Sequence, residues 1–290
     1  MEVPFIGSEA VASGRLTPYA LRSRFVPVHP DVYIATGAEL TARGRAHAAW
    51  LWSRRRAVVA GRSASVLHGA KWVDDHAPAE LLYDYRRPPS AIRTWSDRVA
   101  EDEIELISGI PATTPARTAL DLACRYQVDA AVAAIDALAR ATELKVSDAE
   151  MIADRYPGRR GIRRARIALS LADPGAESPR ETWLRLLLIR AGFPPPQTQI
   201  AVHEYGALIA CLDMGWEDIK LAVEYEGDQH RTDRRQFNKD IRRAESLVEL
   251  GWTVVRVTAA DTPGGIIARV TTAWQRRACT QRGNLIEKSR

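Results

Sequence analysis

From Lys220 to Glu226 the chain alternates as a strand should. Leu221, Val223 and Tyr225 face one side, and Ala222, Glu224 and Glu226 face the other. The run 207–212, Ala-Leu-Ile-Ala-Cys-Leu, suits a second strand, and Glu217-Asp218-Ile219-Lys220 reads as the turn between the two. A turn closing between Asp218 and Ile219 sets Asp213 opposite Glu224. Upstream, Ser178-Pro179-Arg180-Glu181 has the form of a helix start, with Ser178 as N-cap, Pro179 at the first position and Glu181 at the third. Leu184, Leu187, Leu188 and Ala191 then mark a buried stripe at helical spacing, and Glu181 lies on it. Downstream, residues 250–257, Leu-Gly-Trp-Thr-Val-Val-Arg-Val, predict a strand after a long basic helix.

The first half reads differently. Residues 8–13 form a short helix that Gly14 breaks, and Thr17-Pro18 opens a second helix running through Ser23. Residues 25–28 and 32–35 alternate like a small β-wing around His29-Pro30-Asp31. A further helix is expected over 41–59, with Trp50 and Trp52 packing rather than stacking on bases. Short strands and turns follow over 80–115, and an Ala-rich helical stretch over 116–171. Asp173-Pro174-Gly175 breaks the pattern. The expected division is 1–40, winged helix-turn-helix-like; 41–172, mixed α/β then helical; and 173–290, a mixed sheet flanked by helices. The fold class is α/β, α+β overall.

Two glutamates side by side on an apolar sheet repel each other and resist burial. A divalent cation removes both objections, so Asp213, Glu224 and Glu226 are candidate ligands for Mg2+ or Mn2+, with Glu181 beside them. Glu181 also has a purely structural reading as the partner in a capping box. The formal net charge of +5 permits a polyanion partner without demanding one. Arg155, Arg159, Arg160, Arg163, Arg164 and Arg166 cluster with no acid among them, which suits either a DNA-backbone contact or a linker helix. Cys124, Cys211 and Cys279 are far apart and support neither a zinc site nor a disulfide framework. No stretch approaches a membrane span and no signal-peptide pattern opens the chain, so a cytoplasmic setting is expected, and abundant Arg and Ala with scarce Lys suggest a high-GC bacterial gene.

The order helix, strand, strand with Asp213, strand with Glu224-x-Glu226, helix, strand, helix resembles the restriction-endonuclease-like PD-(D/E)XK superfamily, and within it the small Vsr-like nuclease domains. The resemblance covers residues 177 to about 275. It implies a metal-dependent DNA endonuclease with Glu181, Asp213, Glu224, Glu226 and His230 as catalytic candidates. In it the metal polarises a phosphodiester and activates a water, and His230 transfers a proton. Where the superfamily has Lys after Glu-x, this chain has Glu226, which leaves the charge stabiliser unassigned. The phosphate grip would come from Arg231, Arg234, Arg235, Lys239 and Arg242. The front of the chain, on residues 32–35 and on Gly61 to Gly69, resembles AbiEi-type antitoxins of abortive-infection systems. That likeness brings Arg15, Arg22 and Arg24 near DNA phosphates. Two alternatives stay open beside the nuclease. One is a transcriptional regulator or antitoxin whose nuclease fold only binds DNA; the other is an interaction protein whose acids pair with Arg242 or Arg243.

Overall fold

The structure, a computed structural model, describes residues 3–227 and 234–287, and side chains over 3–227 and 241–279. The chain divides into two compact units, Met1–Pro174 and Gly175–Arg290.

The first unit opens with β1 (Phe5–Ile6), α1 (Gly7–Ala12), α2 (Pro18–Arg24), β2 (Phe25–His29) and β3 (Val32–Ala35). The strands form an antiparallel sheet in the order β1-β3-β2. Thr17 starts α2 as expected, its hydroxyl accepting from the Ala20 amide at 3.1 Å. At the wing's turn Asp31 adopts a left-handed φ of 62°, and its carboxylate accepts from the Ser8 amide (2.8 Å) and hydroxyl (2.6 Å). That side chain ties the wing back onto α1. Phe5, Ala10 and Leu21 fill the small core, with Phe25 packed edge-on to Phe5.

Next come α3 (Ala42–Trp52), β4 (Val58–Val59), α4 (Gly61–Leu67), β5 (Ala79–Leu82), β6 (Ile92–Trp95), β7 (Ile104–Ile107) and β8 (Ile110–Thr113). Their strands make a mixed sheet ordered β6-β5-β4-β8-β7. The helix expected to reach residue 59 ends at Trp52. Ser53 closes it, its hydroxyl accepting from the amides of Arg56 (3.2 Å) and Ala57 (3.0 Å), and Arg54 and Arg55 turn left-handed. The chain is thereby redirected so that Val58 and Val59 enter the sheet. Trp50 and Trp52 pack against its core. Four helices complete the unit: α5 (Pro115–Arg125), α6 (Val128–Thr142), α7 (Val146–Arg155) and α8 (Ile162–Ser170). Fully buried alanines at 119, 123, 131, 149, 165 and 168 let these helices approach closely.

The second unit runs α9 (Pro179–Arg190), β9 (Gln197–Glu204), β10 (Ala207–Trp216), β11 (Leu221–Glu226), α10 (Arg234–Glu249), β12 (Thr253–Thr258) and α11 (Pro263–Glu287). The sheet order is β12-β11-β10-β9, with β11 and β12 parallel and the other pairs antiparallel. One face packs Leu221 and Val223 against Leu184 and Leu188 of α9 and Ile266 and Val270 of α11. The other packs Ala222 and Leu212 against Leu247 of α10. The alternation read from the sequence therefore divides the two faces of β11 correctly. Gly215 is required at the tightest point of the β10–β11 ribbon, because a Cβ there would collide with the Leu221 carbonyl.

Candidate nucleic-acid interface and acidic cluster

In the first unit, α2 carries its cations outward. Arg22 and Arg24 are exposed, as is Arg15, whose Nε donates to the Ser13 hydroxyl at 3.1 Å. Tyr19, one turn before Arg22, is 76% exposed. The nearby acids are already taken: Glu9 is gripped by Arg55 through two bonds of 2.6 and 2.7 Å, and Asp31 by Arg54 at 2.8 Å. The cations of α2 are thus left as net positive charge on a surface beside the wing. Among the described residues no ion pair holds Arg22 or Arg24.

In the second unit the helix start and the ribbon bring Glu181, Asp213 and Glu224 together. The ladder runs Met214 to Val223 and Gly215 to Ala222, so the same register sets Asp213 across from Glu224. There the pleat breaks. Ala210 and Leu212 belong to one core cluster while Met214 and Trp216 belong to the other, and Gln199 of the neighbouring strand has a left-handed φ of 51°. Asp213 fills the gap in the ladder, its carboxylate accepting from the Tyr225 amide at 2.8 Å. Burial pushes its pKa up to about 7. The Tyr225 bond opposes that rise, Glu181 and Glu224 add to it, and Arg243 opposes it.

Each neighbouring acid already has a partner. Glu181 spends both oxygens at the start of α9, accepting from the Ser178 hydroxyl and the Glu177 amide, both at 2.8 Å. Glu224, 6% exposed, is paired with Arg243 of α10, which also donates to the Cys211 carbonyl at 3.0 Å. Glu226 is exposed and pairs with Arg256 of β12 at 3.2 Å. These side chains are compensated by the chain's own cations and N–H donors, which fits a divalent ion poorly. Among the described residues no group of three or more His, Cys, Asp or Glu side chains is arranged to hold a metal. Of the basic candidates, Arg242 is exposed on α10. His230 and Arg231 lie outside the described residues, as do the side chains of Arg234, Arg235 and Lys239.

Half of the arginine run 155–166 is taken up in ion pairs within the first unit, while Arg160 and Arg163 are exposed. Its acids come from elsewhere in the chain: Arg155 pairs with Asp102 (2.6 Å), Arg159 with Asp97 (2.8 Å) and Asp121 (2.5 Å), and Arg166 with Asp154 (3.1 Å). At the centre of this network is Arg117, fully buried between Glu103 and Asp121, with the Tyr156 ring 5.1 Å away. Sequence reasoning passed over it. The available signal was an Arg and an Asp four apart, Arg117-Thr-Ala-Leu-Asp121, on a helix otherwise apolar at those turns.

Comparison with known proteins places these features in context. Residues 43–171 match the family model of the AbiEi antitoxin C-terminal domain. The match takes in Gly61 to Gly69 and begins after the wing. Two Mycobacterium tuberculosis proteins are similar over most of the chain: uncharacterized protein MT2308 of strain CDC 1551 / Oshkosh and uncharacterized protein Rv2248 of strain H37Rv. Each is 33% identical over 248 residues, covering 84% of this chain and 90% of the relative. No solved structure matches.

Proposed function

We propose, from the premise that this chain belongs to one family with the two mycobacterial proteins and matches the AbiEi antitoxin C-terminal domain over residues 43–171, that it is a DNA-binding regulator of the antitoxin class acting in the cytoplasm. The observation that carries this reading is that domain match, directly behind a winged module whose Arg22 and Arg24 are exposed and, among the described residues, in no ion pair. In this reading α2 and the wing meet the duplex, Arg15, Arg22 and Arg24 take phosphates, and Tyr19 reaches into a groove. The second unit serves as a nuclease-like fold without turnover.

The test is fluorescence anisotropy with duplex DNA from the protein's own promoter region. Arg22→Ala with Arg24→Ala should weaken binding and lower the salt slope by roughly 2, while EDTA and Asp213→Ala leave binding unchanged. Binding that ignores the two arginines would refute it.

The metal-dependent endonuclease keeps one observation in its favour, the convergence of Glu181, Asp213 and Glu224. Cutting of plasmid DNA with Mg2+ or Mn2+, stopped by EDTA and lost in Asp213→Ala or Glu224→Ala, would establish that reading instead.

A further inference from the structure

We infer that the surface around Tyr85, in the first unit, is a second nucleic-acid site, one that holds a single strand by stacking its bases and gripping its phosphates. After β5 the chain makes a tight turn at Asp84, in which the Tyr85 amide donates to the Tyr83 carbonyl at 2.8 Å. The segment is pinned to β6 by the Tyr83 amide on the Trp95 carbonyl (2.8 Å) and the Thr94 hydroxyl on the Tyr85 carbonyl (2.6 Å). The turn leaves the two tyrosine rings parallel, 1° apart in plane and 5.9 Å between centroids. Trp52, at the end of α3, stands perpendicular to both, 6.1 Å from Tyr83 and 5.2 Å from Tyr85. Tyr85 is therefore held by an aromatic buttress, yet it remains 47% exposed. An aromatic that only packs is covered, and an incidental surface tyrosine has no such support. A ring fixed in place and open to solvent is a ready stacking partner.

The charge around it points to a polyanion. The left-handed residues Arg54 (φ 57°) and Arg55 (φ 63°) fold the chain back, so that the Arg56 guanidinium lies 5.7 Å from the Tyr83 ring. Two consecutive non-glycine residues in that conformation single the turn out as a place where the sequence tolerates strain. Arg54 and Arg55 are neutralised by Asp31 and Glu9. Arg56, Arg86 and Arg87 are exposed, and among the described residues none of them is in an ion pair. Arg86 and Arg87 next to Tyr85 in sequence, with Arg56 held over Tyr83 by its Nε on the Ser53 carbonyl (3.2 Å), outnumber the exposed Asp84 carboxylate and match phosphates on one side and flat bases on the other. A duplex hides its base faces, whereas a single strand offers them, so the expected ligand is single-stranded RNA or DNA.

The site shares no residue with the duplex surface of α2 and does not rest on it. The experiment uses the full chain and fluorescein-labelled oligothymidylate and oligouridylate of about 15 nucleotides, beside a duplex. Wild type should bind the single strands, and Tyr85→Ala should weaken that binding by roughly 5- to 100-fold while Tyr85→Phe retains it. Arg86→Gln with Arg87→Gln should lower the salt slope by about 1.4. Arg22→Ala with Arg24→Ala should leave single-strand binding intact. Tighter binding of oligouridylate would name RNA, and the reverse DNA. Failure of wild type to bind either strand, or a folded Tyr85→Ala protein that binds as well as wild type, overturns the proposal. So does polyglutamate binding as tightly as the oligonucleotides, which would give the surface to an acidic protein.

Discussion

Replacing Asp213 by Asn should stabilise the protein at alkaline pH and do little in acid. The carboxylate sits in a broken β-ladder with Glu181 and Glu224 nearby, and its pKa rises from an ordinary 3.8 to about 7. A folded-state pKa above the unfolded one means the fold prefers the protonated form. Its contribution is fully present below pH 3.8 and is lost as pH climbs through about 7. The shift spans about 3 pH units, so the ionised group costs at most roughly 4 kcal/mol. Partial exposure and the retained Tyr225 bond reduce this, and a gain of about 1–2 kcal/mol for Asp213→Asn is expected at pH 8. The Asn carbonyl keeps the acceptor that Tyr225 needs, so the charge alone is removed. Urea unfolding of wild type and variant at pH 4.5 and pH 8, followed by the tryptophans of the second unit, measures it. A variant no more stable at pH 8, or a difference independent of pH, refutes the reasoning.

Further outcomes follow from single contacts. His29 is buried in the wing and its pKa falls to about 4, so it stays neutral in the fold; stability present above pH 6.5 should decline by up to about 3 kcal/mol toward pH 4. An NMR titration of its ring near 6.5 would contradict this. Arg117→Met strands buried Glu103 and Asp121 and should cost about 3–5 kcal/mol in the first unit; a loss below about 1 kcal/mol in calorimetry would show the network to be dispensable. Gly215→Ala forces β10 from β11 and should cost roughly 1–3 kcal/mol, read as faster amide exchange at Val223; unchanged protection there would show that the ribbon yields.

What was legible in the sequence was local. Period-two alternation assigned both faces of β11, and a turn centred between Asp218 and Ile219 sufficed to set Asp213 across from Glu224. The Ser178 start of α9 followed from side-chain chemistry within four residues. What escaped depended on partners distant in the chain. The arginines from 155 to 166 looked unopposed because Asp97, Asp102 and Asp121 lie on other elements. Arg243 was one of two candidates for pairing with the acids, and only the packing of α10 on the sheet selects it for Glu224. The end of α3 was missed because Ser53 is unremarkable until its hydroxyl is seen turning back on Arg56 and Ala57. The aromatic group at Trp52, Tyr83 and Tyr85 likewise needs β5 beside α3 before it exists at all.

The twin clasps of Arg54 on Asp31 and Arg55 on Glu9 bear on how the front of the chain is held. Together with the buried cluster of Ile6, Val32, Ala48 and Leu51 they anchor the wing and α1 to α3, so the orientation of this module is set by side chains rather than by the connecting residues 36–41. Extra residues spliced in near Gly37 should leave α2 and the wing pointing the same way. Swapping either arginine for a short neutral side chain removes one largely exposed ion pair and leaves the apolar contact in place, so the module should hold its orientation.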